Sequence, residues 1–412
     1  MNVLFVTAAP PWPAWGGAAM RAYHFMRLLG PKHRVHLICP GTVREELQLK
    51  DALGPWAQGV FCVPYGQTAT TAQRAAAVAT SWLPDVAVRM RQPGLGMAVR
   101  EQARARRVDL VHIVGLEAAA SVFPEGMDDV PLVLDALNAE YLLQERASQT
   151  ALREGGWTRA AYSWLQARKL AQYEESVGRQ MAGLIATSLE DRNALERVMP
   201  GVPSVVVANG VDTDEYCAAS CPPLEKDAPT LLFTGTMDYR PNIDAAVWFA
   251  DQILPRIRMH LPGAQFVVMG KDPVPEVRQL ASPHVKVTGM VNSDLPYFHR
   301  ASVFVLPMRF GGGTRLKLLQ AMSCALPIVT TSMGASGADF EHGVDGLVAD
   351  DADAFAQAVI TMLENADLAK LLGAHARASA MTSDWKLRTP LLESFYLDVL
   401  THVDTAPVRR RR

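Results

Sequence analysis

Cysteine is scarce. The chain has five in 412 residues, an odd number, scattered as Cys39, Cys62, Cys217, Cys221 and Cys324. That excludes a disulfide scaffold and suits a reducing compartment. Cys217 and Cys221 have no second Cys/His pair nearby, so they do not read as a zinc site. Long apolar runs are also missing. No window approaches the ~18 apolar residues that a membrane-spanning helix needs. The run after Met1-Asn2, Val3 to Val6, is too short for a secretory signal core and lacks a basic start. These absences predict a cytoplasmic chain. Net charge is nearly absent, formally −2, so nothing global calls for nucleic acid. What is present is a 49% apolar and 20% charged composition. It describes a globular protein long enough for two domains with full cores.

One stretch organises the rest. Phe310-Gly311-Gly312-Gly313-Thr314-Arg315-Leu316-Lys317 follows an apolar run, Ser302 to Leu306, that reads as a buried strand ending at Pro307. Glycines let backbone approach a ligand closely. Thr314 is placed to cap a helix reaching about Ala325, with Leu316, Leu319 and Met322 at helical spacing. Helix N–H groups, the positive dipole end, Arg315 and Lys317 then meet at one point, which is an anion site with phosphate as the natural occupant. Glycine-rich strand–helix loops that bind nothing are also common. The spacing is neither the dinucleotide fingerprint nor a P-loop.

The chain opens as strand (Asn2 to Thr7), loop with Gly16-Gly17, helix (about Ala18 to Leu29) and strand (Val35 to Cys39). This is a βαβ unit with parallel strands. Ligands of such sheets bind beyond the strands' carboxyl ends. Gly16 and Gly17 therefore face the expected cleft, with Arg21 in the helix's first turn reaching the same place; the alternative is that the glycines serve only the turn. Further strands are expected at Gly59 to Val63, Val108 to Val114, Pro131 to Leu134, Gly183 to Thr187 and Ser204 to Ala208. Residues 68–107 are rich in alanine and arginine and read as one or two helices with a basic face. Such a face is usually solvated; it could also rest on anionic lipid or guide an acidic acceptor. The four arginines Arg409 to Arg412 read as a solvated tail.

A first domain is thus expected over 1–210 and a Pro-rich linker over 211–229. A second α/β series follows over 230–385, with a closing helix and basic tail over 386–412 that is expected to return to the first domain. It opens with a strand at Thr230 to Thr234 and a helix from about Ile243 to His260. Gly270-Lys271 ends the next strand. The fold class is α/β, two doubly wound Rossmann-like domains facing each other across a ligand cleft.

Three features in this order resemble glycosyltransferase family 4 of GT-B fold: the Gly16-Gly17 loop, Asn209-Gly210-Val211-Asp212 at the crossover, and Gly311 to Lys317 before a helix. The stretches Thr234 to Ala245 and Leu134 to Tyr141 support the match. The chain looks most like sugar transferases of bacterial polysaccharide clusters. The resemblance implies transfer of a sugar from a nucleotide-sugar to an acceptor hydroxyl, with retention and with no metal or other cofactor. The donor would bind the second domain and the acceptor (a glycan, glycolipid or other hydroxyl compound) the first. Carried over by the resemblance, Arg315 and Lys317 with the N–H groups of Gly311, Gly312, Gly313, Thr314 and Leu316 would hold the diphosphate. Gly16, Gly17 and Arg21 would approach it from the first domain. Gly235, Thr236, Arg240, Gly270 and Lys271 would line the donor side. Candidates near the reacting carbon are His112, Glu117, Asn138 and Glu140, each of which could equally be a structural hydrogen-bonding residue. Asp212-Thr213-Asp214 and Asp351-Ala352-Asp353 match a loose metal pattern, but one falls in the linker and the other at a helix start, where acids favour the dipole.

Two departures stand out. Family members commonly carry glutamates where this chain has Gly312 and Gln320, the first being lost also in relatives with a Gly-Gly-Gly-Thr loop, and many carry an arginine at Met237. A glutamate at 320 would hold ribose as a charged acceptor. Gln320 offers a neutral hydrogen bond, which costs about 1 kcal/mol of donor affinity. These departures motivate a rival reading, a catalytically degenerate GT-B protein. A nucleotide-sugar epimerase on the same scaffold is a second rival.

Overall fold

The computed structural model describes residues 1–405 except 68, 126, 128, 129, 154, 218–227 and 312–314. Gly312, Gly313 and Thr314, most of the expected Pro-rich linker, Cys221 and the arginine tail therefore lie outside the described residues. The chain divides into two compact units, Met1–Ala208 with the segment from Arg388, and Asn209–Leu387.

The first unit is built on β1 (Asn2–Thr7), β2 (Arg34–Pro40), β3 (Gly59–Val63), β4 (Leu110–Val114), β5 (Leu132–Ala136), β6 (Gly183–Ala186) and β7 (Ser204–Val206). All pairs are parallel, in the order β3-β2-β1-β4-β5-β6-β7. Val3, Leu4, Phe5 and Val6 are wholly buried. The strand reads as a continuous apolar run because helices cover both faces of a parallel sheet. The order reverses between β1 and β4, which opens a crevice at their carboxyl ends.

The second unit repeats the plan with β8 (Thr230–Thr234), β9 (Gln265–Met269), β10 (Val285–Val287), β11 (Val303–Leu306), β12 (Ile328–Thr330) and β13 (Leu347–Val348), ordered β10-β9-β8-β11-β12-β13 and all parallel. Its switch point falls between β8 and β11. Phe233, Phe249, Phe266, Phe304 and Phe355 are fully buried in its core.

Several boundaries differ from expectation. Residues 68–107 form three helices, Thr71–Thr80, Asp85–Met90 and Leu95–Arg106, and Arg74 pairs with Asp85 through two hydrogen bonds of 2.8 and 2.7 Å. The helix expected over 243–260 is Arg240–Trp248, one wide π turn (Phe249–Ile253) and Leu254–His260. Pro255 explains the break, since its ring displaces the carbonyl one turn back and removes an N–H. The expected linker begins inside the second unit: Val211 bridges to Asp384, and Tyr216 is buried. Helix Glu140–Arg153 was not legible as a helix, and the helix after it is Trp157–Gly178. Asp351 accepts from the Ala354 N–H and caps helix Ala352–Glu364, while Asp212 accepts from the N–H groups of Asp214 and Glu215.

Polar groups also bind the first unit together. Arg21 on helix Gly17–Leu29, His112 in β4, Asp135 in β5 and Tyr396 on helix Trp385–Thr405 are each fully buried. Arg21 Nε donates to Asp135 Oδ2 at 2.6 Å. His112 Nε2 lies 3.3 Å from the same oxygen. His112 Nδ1 and the Tyr396 hydroxyl are hydrogen-bonded at 2.7 Å. Burial pushes the Tyr396 phenol well above its usual range, so it stays a neutral O–H. Burial also pushes Asp135 up, but Arg21 and then His112 outweigh it and hold the carboxyl below its ordinary value. One charged pair and one histidine thus join a helix, two central strands and the C-terminal helix.

Removing one partner of such a pair strands the other charge. Asp135→Ala should destabilise the first unit by about 3–5 kcal/mol. Tyr396→Phe, which deletes one neutral hydrogen bond, should cost about 1 kcal/mol. Urea unfolding curves measure both; equally small losses would contradict the account.

Candidate functional site

Beside the switch point of the second unit, β8 and β9 end against each other. The Gly235 N–H donates to the Met269 carbonyl at 3.0 Å, and Met237 N–H donates to Lys271 O at 2.8 Å. A Cβ on Gly270 would lie 1.6 Å from the Gly235 carbonyl oxygen, so no side chain fits there. A Cβ on Gly235 would lie 2.6 Å from Asn242 Nδ2 and 2.7 Å from Lys317 Nζ. Glycine at 235 therefore lets Lys317, from the helix that follows β11, lie against the end of β8.

Lys317 belongs to the helix Leu316–Ser323, which starts one residue later than expected, with Arg315 rather than Thr314 at its N-cap position. Its ammonium donates to Asn242 Oδ1 at 2.7 Å and sits 4.6 Å from the Phe233 ring centroid. Asn242 is buried and its Nδ2 donates to Thr236 O at 2.9 Å, so Thr236 contributes its backbone here. Arg315 is 7% exposed and packs against Gly311, where φ is +135° and a Cβ would lie 3.0 Å from Nη2. Burial lowers Arg315. Burial, and then the Arg315 charge, lower Lys317 to about 7. Two cations are thus held in one low-dielectric place, and Lys317's hydrogen-bond partner is a neutral amide. An anion offsets both costs at once.

The remaining donor-side residues surround this point. Arg240 lies over the Phe310 ring at 5.3 Å, and Arg309 pairs with Asp244, which ties the glycine loop to helix Arg240–Trp248. Leu316 opens the helix, and Gln320, buried at 6% exposure, follows Lys317 along it. Lys271 is half-buried, 4.0 Å from Asp272. Met237 is fully buried in the apolar core, so position 237 contributes no polar group. Sequence reasoning passed over Asn242 as a site residue; its signal was its place in the Thr234 to Ala245 stretch.

In the first unit the expected residues separate into two groups. Gly16 is the N-cap of helix Gly17–Leu29, with φ +94° and open space where a Cβ would be. Gly17 is likewise exposed at this uncapped start. Arg21, expected to reach the ligand, is instead turned inward to Asp135 and is fully buried. His112, expected near a strand end, sits in mid-strand opposite Phe5 and is equally buried. Both corrections share one cause, since each group neutralises or orients the buried Asp135.

Glu117, Asn138 and Glu140 do come together, at the carboxyl ends of β4 and β5. Asn138 Nδ2 donates to Glu140 Oε1 at 3.3 Å. Burial, and then the neighbouring Glu117, push Glu140 up to about 7. Glu174 and Asp191 join them and were not anticipated. Glu174 accepts the N–H of Glu140 at 2.8 Å, and burial pushes it up to about 8. Asp191 accepts the Ala139 N–H at 3.0 Å. This carboxylate group holds a proton near neutrality and is suited to giving or taking one.

The cation pair of the second unit makes a pH-dependent prediction. Pyrophosphate should bind with uptake of about one proton above pH 8, because the anion restores the charge on Lys317. Affinity should fall as pH rises through about 7, where free Lys317 loses its proton. Calorimetry in buffers of different ionisation enthalpy reads the uptake. Lys317→Met should abolish both the uptake and the slope; a pH-independent wild-type affinity would refute the assignment.

Comparison with known proteins follows this geometry. A model described as Glycosyltransferase Family 4 matches residues 15–215, and one described as Glycosyl transferases group 1 matches residues 228–365. The phosphatidyl-myo-inositol mannosyltransferase of Mycolicibacterium smegmatis is 26% identical over 225 residues, 52% of this chain and 55% of that protein. The curated relatives are matched over only 37% to 55% of their own lengths. Sucrose-phosphate synthase of Thermosynechococcus elongatus has a similar structure, with a TM-score of 0.69 at 15% identity over 97% of this chain and 99% of that one. Anabaena HepE, solved in complex with UDP and glucose, has a TM-score of 0.63 at 17% identity over 96% of this chain and 99% of that one. At such identities the structural likeness speaks for the fold. With the two models in this order on two Rossmann-like units of matching topology, the chain belongs to the glycosyltransferases of GT-B fold, in family 4 and group 1.

Proposed function

We propose that the chain transfers a sugar from a nucleotide-sugar donor to an acceptor hydroxyl, with retention of anomeric configuration and without a metal, in the making of a polysaccharide or cell-envelope glycan. The observation that carries this reading is the burial of Arg315 and Lys317 side by side at the switch point of the second unit. As the glycosidic bond breaks, charge gathers on the departing nucleoside diphosphate. Cations already fixed in a low-dielectric place stabilise that charge without reorganising. Lys317 is recharged by the anion it binds, and Asn242 keeps its ammonium aimed past Gly235. Gln320 is placed on the same helix to accept from ribose. HepE's complex with UDP and glucose supports a nucleotide-linked donor, and the mannosyltransferase relative supports a hexosyl donor. In the first unit, the Glu117–Asn138–Glu140 group is the proposed place of the acceptor hydroxyl.

The chain is further proposed to work in the cytoplasm, in peripheral contact with the anionic membrane face through residues 68–107. Among the described residues no helix is long and apolar enough to cross a membrane. Trp82, 49% exposed beside the basic helices, supports an interfacial role. The degenerate reading keeps one specific support, the neutral Gln320 together with the buried Met237. An epimerase would need acid and base groups around the sugar of the second unit; the acidic group described above belongs to the first.

Turnover of UDP-, GDP- and ADP-sugars tests the proposal. One donor should be consumed at equal rates with and without EDTA. Arg315→Ala and Lys317→Ala should each lower kcat/KM by roughly 10²–10³. Nucleotide binding without turnover of any donor would favour the degenerate protein.

A further inference from the structure

The basic segment proposed above to meet the membrane ends in two arginines, Arg106 and Arg107, that the sugar transfer itself does not use. Arg106 closes the helix Leu95–Arg106, and Arg107 follows it in the left-handed region with φ +52°. Glycine is the usual residue at such a helix end. Here an arginine holds the position, and the Asn2 amide donates to the carbonyls of Arg106 at 2.7 Å and Arg107 at 3.3 Å. Both arginines, with Arg34 and Lys32, line an open cavity of about 620 Å³ at the amino ends of β1 and β2.

The carboxylates around this cavity are already engaged. Asp109 accepts the Asn2 backbone N–H at 2.7 Å. Glu393 takes Lys32 at 3.2 Å and His33 at 2.9 Å. Arg34, Arg106 and Arg107 have no carboxylate partner among the described residues; Arg106 lies over the Phe61 ring at 4.9 Å. Elsewhere arginines pair with acids, as Arg74 does with Asp85, Arg146 with Glu190 and Arg256 with Asp353. The positive field reaches into the sheet. Buried His36 on β2 is held below its usual value by burial, then by Arg106 and Arg34.

We propose that this cavity is a phosphate-binding site of the first unit, in which Arg34, Arg106 and Arg107 grip the phosphate group of a phosphorylated ligand. Guanidinium forks match phosphate oxygens in pairs, and a bound anion relieves the repulsion among the three cations. The same group is presented by a free phosphorylated compound or by an anionic phospholipid headgroup.

The test uses the full chain carrying Arg315→Ala and Lys317→Ala, so that the cation pair of the second unit does not contribute. Pyrophosphate is titrated by calorimetry, and co-sedimentation is measured with phosphatidylglycerol and phosphatidylcholine vesicles. The cavity variant is Arg34→Ala with Arg107→Ala, both exposed positions, with an unchanged melting temperature as the control for folding. At least tenfold weaker pyrophosphate binding in that variant supports a free phosphorylated ligand. Loss of binding to phosphatidylglycerol vesicles, with pyrophosphate affinity unaltered, supports the headgroup. If neither changes, the proposal is overturned and these arginines serve only the dipoles of the neighbouring helix ends.

Discussion

The character of the second unit follows from one unfavourable contact, the placement of Lys317 beside Arg315 away from water. Neither local sequence preference nor packing asks for it. The helix Leu316–Ser323 would form equally well with a leucine at 317, and the core beneath it is already closed by Leu318, Leu319 and Met322. A fold tolerates crowded like charges where something else recovers their cost, and in a donor site that is the bound anion. The surrounding details serve this contact. Gly235 has no side chain because the ammonium lies there, and Asn242 supplies an acceptor without a counter-charge. A carboxylate in place of Asn242 would neutralise the lysine and compete with phosphate.

The first unit handles buried charge in the opposite way. Arg21, Asp135, His112 and Tyr396 form a connected set in which a guanidinium meets a carboxylate and each member meets another. Such a set ties elements together. Exposure does not distinguish the two arginines, since Arg21 and Arg315 are both buried. Arg21 donates to a carboxylate, whereas the charge of Arg315 lies close enough to Lys317 to lower it.

Glycine also divides into separate roles. Gly270 is required by backbone meeting backbone at the ends of β8 and β9, whatever the ligand. Gly16 meets nothing, and its left-handed backbone at an open helix start is the arrangement that lets an anion approach. The acidic group around Glu140 shows a similar economy. Glu174 takes up the N–H groups at the start of helix Glu140–Arg153, and the burial this requires pushes Glu140 into the neutral range.

Strand positions, their parallel pairing and the two-unit plan were readable because buried parallel strands are short apolar runs separated by helical periodicity. The glycine loop with Arg315 and Lys317 was readable because its residues are contiguous. The roles of Arg21 and His112 were not, because they depend on Asp135 and Tyr396, which are distant in sequence and meet only across the sheet. Glu174 and Asp191 were hidden for the same reason, lying on helices whose charge pattern reads as solvated. Asn242 lay inside a recognised stretch, but its bond to Lys317 exists only after three crossovers bring β8 and β11 together. The sequence alone thus determined which segments become strands and helices and where glycines stand beside Arg315 and Lys317, since these follow from local periodicity and contiguous residues. The tertiary structure alone decided which buried charges meet a carboxylate and which meet a neutral amide, since that depends on contacts between residues far apart in the chain.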